Sequence, residues 1–430
     1  MRTQDIDNNR AQLLREGYVI LRQVVPPEQM DRLRSDIEAV VGRQRAGDPA
    51  WDTTPQPRAS IVDHVDEETI GAFEFVLHDH TYGVSAAVLD CPEEAVAATQ
   101  TQVICNPEFT PGDPHGPGQE WGTDPRNWHR DVRPDTDGPL AALLEDQLAN
   151  GPAYVQWNIA LYEDNILYVV PGSHRRLTMQ AEAKHLQGGR GTLTPLPQSR
   201  CVELGPGDGV VYNNLMLHWG SKYGPHKKRR TIHLGYRSFG RIFPHQKCRL
   251  SVGFSNRFHK GTRHRRITER WLALYCDEFA TIEGMFHAAL VGDEERFLAG
   301  LAVLHPPAEG RLKCLILLSK IALAVRQVNC HRGSDRISTE VGQHVNDWLL
   351  QESVGRFSEQ ELEQLGQRFG PVDEALRGRQ PKHVAGFLGP TSDYEFEEIP
   401  AGMTTERVCA AILDNQQRIG DSSEAVPRID

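Results

Sequence analysis

From Val155 to Arg237 the chain is a succession of short apolar stretches broken by turns. Five of them, Val155–Leu161, Leu167–Val169, Cys201–Leu204, Gly209–Tyr212 and Thr231–Arg237, each have the length of a single strand. The sequences VPGSH and GPGDG that separate them place glycine and proline where a chain reverses. Short strands with regular turns restrict this part of the protein to a β-sandwich or barrel. A further strand, Tyr18–Leu21, stands near the N-terminus, before a Pro-Pro turn. The helix expected from about Glu28 repeats Met30, Leu33, Ile37, Val40 and Val41 with a helical period. Another strand is expected at about Gln100–Cys105. Residues 44–70 lack periodicity and read as loop. Residues 106–127 hold five prolines and four glycines and read as a long loop entering the site.

After about Arg263 the texture changes. ITERWLALYCDEFATIEGMFHAALV, DEERFLAGLAVL, RLKCLILLSKIALAVRQV and SEQELEQLGQRFG all read as amphipathic or buried helices. A boundary is therefore expected near 265, with residues 1–265 forming one domain and 266–430 a mainly helical C-terminal region. In the third of these stretches Leu312, Leu315, Leu317, Leu318, Ile321 and Leu323 span most of the helix surface. Such a helix must be buried, against the β-domain or against a second copy of the chain. The helical region is thus expected to be a lid, a buttress or an oligomer interface.

The net charge of −11 excludes little by itself, but it is unevenly spread. Residues 222–270 carry fifteen Lys and Arg and one acid, Glu269. A nucleic-acid-binding protein would be basic overall, so no nucleic-acid partner is expected. The local run points to a solvated face or an anionic small molecule. The eight cysteines form no CxxC pair, which fits free thiols in a reducing compartment. No apolar run suits a signal peptide or a membrane span, so the expectation is a cytoplasmic protein with no membrane partner.

The chemistry-bearing stretch is NWHRD, residues 127–131. His129 and Asp131 stand two apart, and on a strand both project from one face. Imidazole and carboxylate together suit Fe(II), Mn or Zn, but a site needs a third ligand. His218, in GDGVVYNNLMLHWGS, is the candidate. The two histidines and one carboxylate would leave three coordination positions open, as iron oxygenases require. Arg229 lies eleven residues past His218 and opens the next strand. It could fork onto the distal carboxylate of 2-oxoglutarate. The HDH at 78–80 is a rival metal pair with no strand pattern or distant partner, and reads as loop. His174, inside VVPGSHRR, reads as part of a turn that Gly172 makes possible.

Taken in order, GYVILRQVVPPEQMDRLRSDI, WHRD, DNILYVVPGSHR and GDGVVYNNLMLHWGS leading to RRTIHLGYR resemble the phytanoyl-CoA dioxygenase family of Fe(II)/2-oxoglutarate oxygenases. The resemblance covers roughly residues 15–240. It implies an α+β protein whose core is a double-stranded β-helix (a cupin-like jelly roll), carrying a mainly helical C-terminal extension. It implies Fe(II) on His129, Asp131 and His218, which then serve as the catalytic residues, with 2-oxoglutarate and O2 as co-substrates. It places 2-oxoglutarate on Arg229 and not on Arg230, which on a strand faces the other way. Gln102 and Ser221 are the further candidates for 2-oxoglutarate, and Trp157 and Asn158 for substrate.

The carboxylate at 131 fits a hydroxylase better than a halogenase, whose relatives have a small residue there. The expected reaction oxidises a C–H bond of a small, anionic metabolite and releases succinate and CO2. Two other readings stay open. One is a catalytically silent jelly-roll interaction module, against which the retained triad and Arg229 speak. The other is an oxygenase acting on a macromolecule.

Overall fold

A computed structural model of the chain describes residues 3–54, 56–106, 128–132, 138–186, 194–221, 228–242, 254–330, 355–377 and 398–414. Its strands are β1 (Tyr18–Leu21), β2 (Arg58–Ser60), β3 (Val96–Cys105), β4 (Tyr154–Ala160), β5 (Leu167–Val169), β6 (Arg200–Cys201), β7 (Gly209–Tyr212), β8 (His218–Gly220) and β9 (Arg230–Ser238). A large sheet has the order β1-β7-β4-β9-β3-β2, and a small one the order β6-β5-β8. Every strand pair is antiparallel. Residue 129 adds a bridge to His218 beside the small sheet. The chain passes from one sheet to the other: β4 in the large, β5 and β6 in the small, β7 in the large, β8 in the small, β9 in the large.

The two faces of the large sheet have different neighbours. Tyr18, Ala160, Val210 and Tyr212 meet Leu167 and Val169 of the small sheet in one apolar cluster, so their face lies between the sheets. Trp157, Ile159, Val211, Ile232, Leu234 and Tyr236 point the other way, into the main core. β4 and β9 are buried along their whole length, as central strands covered on both faces are. The inner face is unusually polar. Gln102, His233, Asn158 and Val210 stand abreast across β3, β9, β4 and β7.

Helices cover the outer face. They are α1 (Thr3–Glu16), α2 (Met30–Gly47), α3 (Ile61–His64), α4 (Ile70–Val76), α5 (Val84–Leu89), α6 (Leu140–Asn150), α7 (Gln180–Leu186), α8 (Arg263–Val291), α9 (Glu294–Leu304), α10 (Arg311–Cys330), α11 (Glu359–Arg377) and α12 (Thr405–Leu413). The predicted apolar face of α2 is buried at Met30, Leu33, Ile37, Val40 and Val41. The core does not stop where the helical region begins. Trp271, Tyr275, Phe279 and Ile282 of α8 and Leu315, Leu318 and Ile321 of α10 belong to the same cluster as Trp157 and Leu234. Arg237 of β9 and Glu278 of α8, both buried, pair through contacts of 2.8 and 3.0 Å.

Two regions differ from the sequence reading. Residues 44–70 are not loop throughout, since they contain the end of α2, β2 and α3. Elements of three or four residues are too short to display a period. α1 had no expectation either, because its sequence is almost wholly polar and Leu13 is its anchor in the core. The proline-rich stretch falls almost wholly outside the described residues. Among the described residues no helix is long and apolar enough to cross a membrane.

Candidate metal centre

His129 and His218 are brought together by the backbone itself. The N–H of each donates to the carbonyl of the other at 3.0 Å, a reciprocal pair that sets the two residues directly opposite. Their rings lie 4.4 Å apart between centroids, on one side of the bridge. On the other side Trp128 and Trp219, their chain neighbours, pack 5.7 Å apart. Asp131 then turns its carboxylate onto both rings. Oδ1 is 3.5 Å from His129 Nε2, and Oδ2 is 3.2 Å from His218 Nε2. One donor atom from each of the three residues falls within 4.8 Å of the others, all three being largely buried.

The protonation of the site favours a cation. His218 Nδ1–H donates to the Met216 carbonyl at 2.9 Å, which turns Nε2 toward Asp131, where it can carry a proton or, in its place, a metal ion. Burial by itself would raise the Asp131 carboxyl. The facing His218 and His129 rings outweigh it and hold the group well below the usual carboxylate range. Two neutral imidazole nitrogens and one ionised carboxylate on one side of a shared space are the donor set that suits Fe(II). The residues present therefore fit that metal.

The residue between the ligands anchors the site from behind. Arg130 is fully buried, and its guanidinium donates to the carbonyls of Ser173 at 2.7 Å, Leu215 and Arg176. Ser173 in turn accepts from the Leu217 N–H through Oγ at 2.8 Å. The VPGSH turn thus holds both ligand-bearing segments. His174 Nε2–H donates to the Leu14 carbonyl at 3.1 Å, in keeping with a role in the turn.

β8 begins at His218 and ends at Gly220, and the chain re-enters the large sheet at β9. Arg229 therefore stands immediately before β9, after the segment that follows β8. Its Nε donates to Asp164 Oδ2 at 2.8 Å, and its backbone N–H to Asn106 Oδ1 at 2.8 Å. Asp164 also accepts from Thr231 Oγ1 and the Ile166 N–H. Burial opposes ionisation of Asp164, but the Arg229 guanidinium and these donors lower its pKa below the usual value. Arg230 faces the opposite side and pairs with Glu38 of α2 at 3.0 Å.

Comparison with known proteins matches residues 13–222 to the model of the phytanoyl-CoA dioxygenase family. The match spans just under half of the chain, which over that stretch is similar to the phytanoyl-CoA dioxygenase family. No curated protein matches it. Similar solved structures include the non-heme α-ketoglutarate-dependent epimerase SnoN from nogalamycin biosynthesis, 14% identical with a TM-score of 0.39, covering 55% of this chain and 82% of its own. AviO1 from Streptomyces viridochromogenes Tue57 is 19% identical at a TM-score of 0.36, covering 55% of this chain and 97% of its own. EctD from S. alaskensis, solved with 2-oxoglutarate and 5-hydroxyectoine, is 15% identical at 0.36, covering 56% of this chain and 77% of its own.

Within the matched stretch the other candidates divide. Asn158 and Gln102 lie on the inner face, where Asn158 Oδ1 accepts from His233 Nδ1 at 2.8 Å and Gln102 Oε1 from Arg58 at 3.2 Å. Trp157 does not. It points into the helical layer, fully buried, and its Nε1–H donates to Ser85 Oγ at 2.9 Å. The substrate-binding expectation for Trp157 is therefore replaced by a packing role. Ser221 sits one residue beyond β8 on the parity of Trp219, its N–H bonded to the Ile166 carbonyl at 2.8 Å, and is not brought to the triad.

Three residues of this interior had no place in the sequence reading. Asp164 orients Arg229. His233 follows Arg229 by four and shares its face, so strand alternation could have found it. Tyr212 packs its ring 5.3 Å from that of His218.

The basic run has a more ordinary explanation than the sequence suggested. Lys228 and Arg230 pair with Glu38, Arg229 with Asp164, Arg237 with Glu278 and Arg265 with Glu269. These five of the fifteen cations are thus paired with acids, Arg229, Arg230 and Arg237 buried in the fold and Lys228 and Arg265 nearer its surface.

Proposed function

We propose that the chain is an Fe(II)/2-oxoglutarate-dependent oxygenase that hydroxylates, or otherwise oxidises, a C–H bond of a small metabolite and releases succinate and CO2. In this reading the two sheets close as a double-stranded β-helix, and residues 266–430 buttress it. The observation that carries the reading is the buried two-histidine, one-carboxylate cluster in a chain similar over residues 13–222 to the phytanoyl-CoA dioxygenase family.

The roles of the side chains follow from their chemistry. His129, His218 and Asp131 hold the metal, with the imidazoles neutral and the carboxylate ionised. When bound, Fe(II) supplies the oxygen chemistry that no side chain can. Arg229 receives the distal carboxylate of 2-oxoglutarate in a charge-assisted fork. Asp164 fixes the guanidinium beforehand, so less freedom is lost on binding. Gln102, His233 and Asn158 line the wall and donate or accept where the co-substrate and substrate lie. Burial of the cluster keeps bulk water from the reacting bond. The direct test is succinate release from 2-oxoglutarate by iron-loaded protein, screened against pools of small metabolites. No release above a metal-free control with any pool would overturn the proposal.

The adjacent arginines provide a sharper check. Arg229→Ala is expected to weaken 2-oxoglutarate binding more than tenfold, because a lost charge-assisted contact costs ~2 kcal/mol or more. Arg230→Ala, which breaks an outward pair with Glu38, should leave that affinity within about twofold. Titration of 2-oxoglutarate into anaerobic protein measures both, and equal effects would refute the assignment to Arg229.

Asp131→Gly opens one coordination position while keeping both histidines. Oxidation of the C–H bond should be lost even where some iron is retained, as metal analysis beside a product assay would show. Oxidation at a near wild-type rate would remove Asp131 from the ligand set.

A further inference from the structure

Behind the metal centre lies a buried cluster of ionisable groups that the mechanism above does not use. Asp146, on α6, accepts from Asn150 Nδ2 at 2.8 Å, from His305 Nε2 at 2.9 Å and from Lys313 Nζ. All three ionisable members are nearly or fully buried. His305 follows α9, and Lys313 belongs to α10, so the cluster ties the C-terminal helices to α6. Gly310 leaves room for it, since a Cβ at that position would fall on His305 Nε2 and close to Asp146 Oδ1.

Other residues of α6 pack on the segments that carry the metal centre. Leu140, Leu143 and Leu144 form one apolar cluster with Val132, the residue after Asp131, and with Leu215. Gln147 accepts from Asn213 Nδ2 at 2.8 Å and donates to the His174 carbonyl at 3.0 Å. The neighbouring Asn214 carbonyl accepts the N–H of Asp131 at 2.8 Å, and the Leu215 carbonyl accepts from Arg130. α6 therefore touches both segments that fix Asp131, and α10 fixes α6.

We propose that Lys313, His305 and Asp146 are positioning residues of the metal centre, through which the C-terminal helices set the place of Asp131. The proposal rests on the reading of the triad as a metal site. A single α6 carboxylate gripped from α10, on a helix that also packs on Val132, transmits a shift of α10 to the ligand loop because close-packed interiors pass strain on. Partners bonded directly to metal ligands typically alter metal affinity 10–100-fold, so groups that act through α6 and Val132 should reach the lower end of that range.

The test uses Co(II), whose visible absorption reports ligand geometry, titrated into the full-length chain well below each variant's Tm. Lys313→Met is expected to raise the Co(II) Kd about tenfold and to shift the spectrum. The control is Lys320→Met on the same helix, which breaks the buried Lys320–Asp373 pair to α11 instead. It should lower Tm comparably yet bind Co(II) with wild-type affinity and spectrum. If Lys313→Met does not fold, Asp146→Asn, which keeps the shape and one acceptor, is judged by the same criteria. Wild-type Co(II) binding in the Lys313 or Asp146 variant, or an equal change in Lys320→Met, overturns the proposal. A wild-type chain that binds no Co(II) overturns both it and the metal reading beneath it.

Discussion

Replacing His218 with alanine should abolish turnover and lower Fe(II) affinity by more than about 100-fold, since losing even an outer partner of a metal ligand costs 10–100-fold. The removal takes one of three donors from a group whose atoms all lie within 4.8 Å. It also leaves Asp131 facing a single imidazole. The backbone bridge from His218 to residue 129 uses main-chain atoms, so the variant should keep its fold and its far-ultraviolet circular dichroism. Metal analysis after anaerobic loading, together with succinate release, measures the outcome. A His218→Ala protein with wild-type iron content and activity would sink the triad.

Cutting the chain after residue 265 should give aggregated protein, not a smaller active barrel. The cut removes Trp271, Tyr275, Phe279 and Ile282 from the cluster that also holds Trp157, Ile232 and Leu234. Burial of each such side chain contributes ~1.5–3 kcal/mol, so these four alone amount to about 6–12 kcal/mol, comparable with the ~5–15 kcal/mol by which ordinary domains are stable. It also strips Arg237 of Glu278, and an uncompensated buried charge costs ~3–5 kcal/mol more. Size-exclusion chromatography of fragment 1–265 checks the expectation. A soluble, monomeric and fully active fragment would make the helical region an independent accessory.

The sequence reached the parts of this architecture that depend on local pattern. β1, β5 and β7 fall at the residues expected for them, and the apolar stripe of α2 is buried as its period requires. The distant partner of HxD was legible because His218 follows a strand and precedes a Gly-Ser turn, in a stretch that resembles the family's. Trp157 was misplaced for a physical reason. β4 is buried on both faces, so alternation along it cannot tell which face looks into the barrel. Asp164 was missed because its role exists only after Arg229 and Thr231, 65 and 67 residues later, have folded against it. The Asp146 cluster was hidden in the same way, its partners being 159 and 167 residues away.

The doubled arginine at 229 and 230 bears on how β9 finds its place. A slip of one residue exchanges the two, and an identical side chain would then enter the barrel, so this position cannot proofread the pairing. The penalty must come from the positions that follow. The slip would turn Ile232, Leu234 and Tyr236 toward the polar interior and bring Thr231 and His233 out against the helices. Arg237 would lose Glu278, and Glu38 would face whichever arginine arrived. Correct placing of Arg229, the arginine proposed for 2-oxoglutarate, is thus enforced from the far end of its own strand.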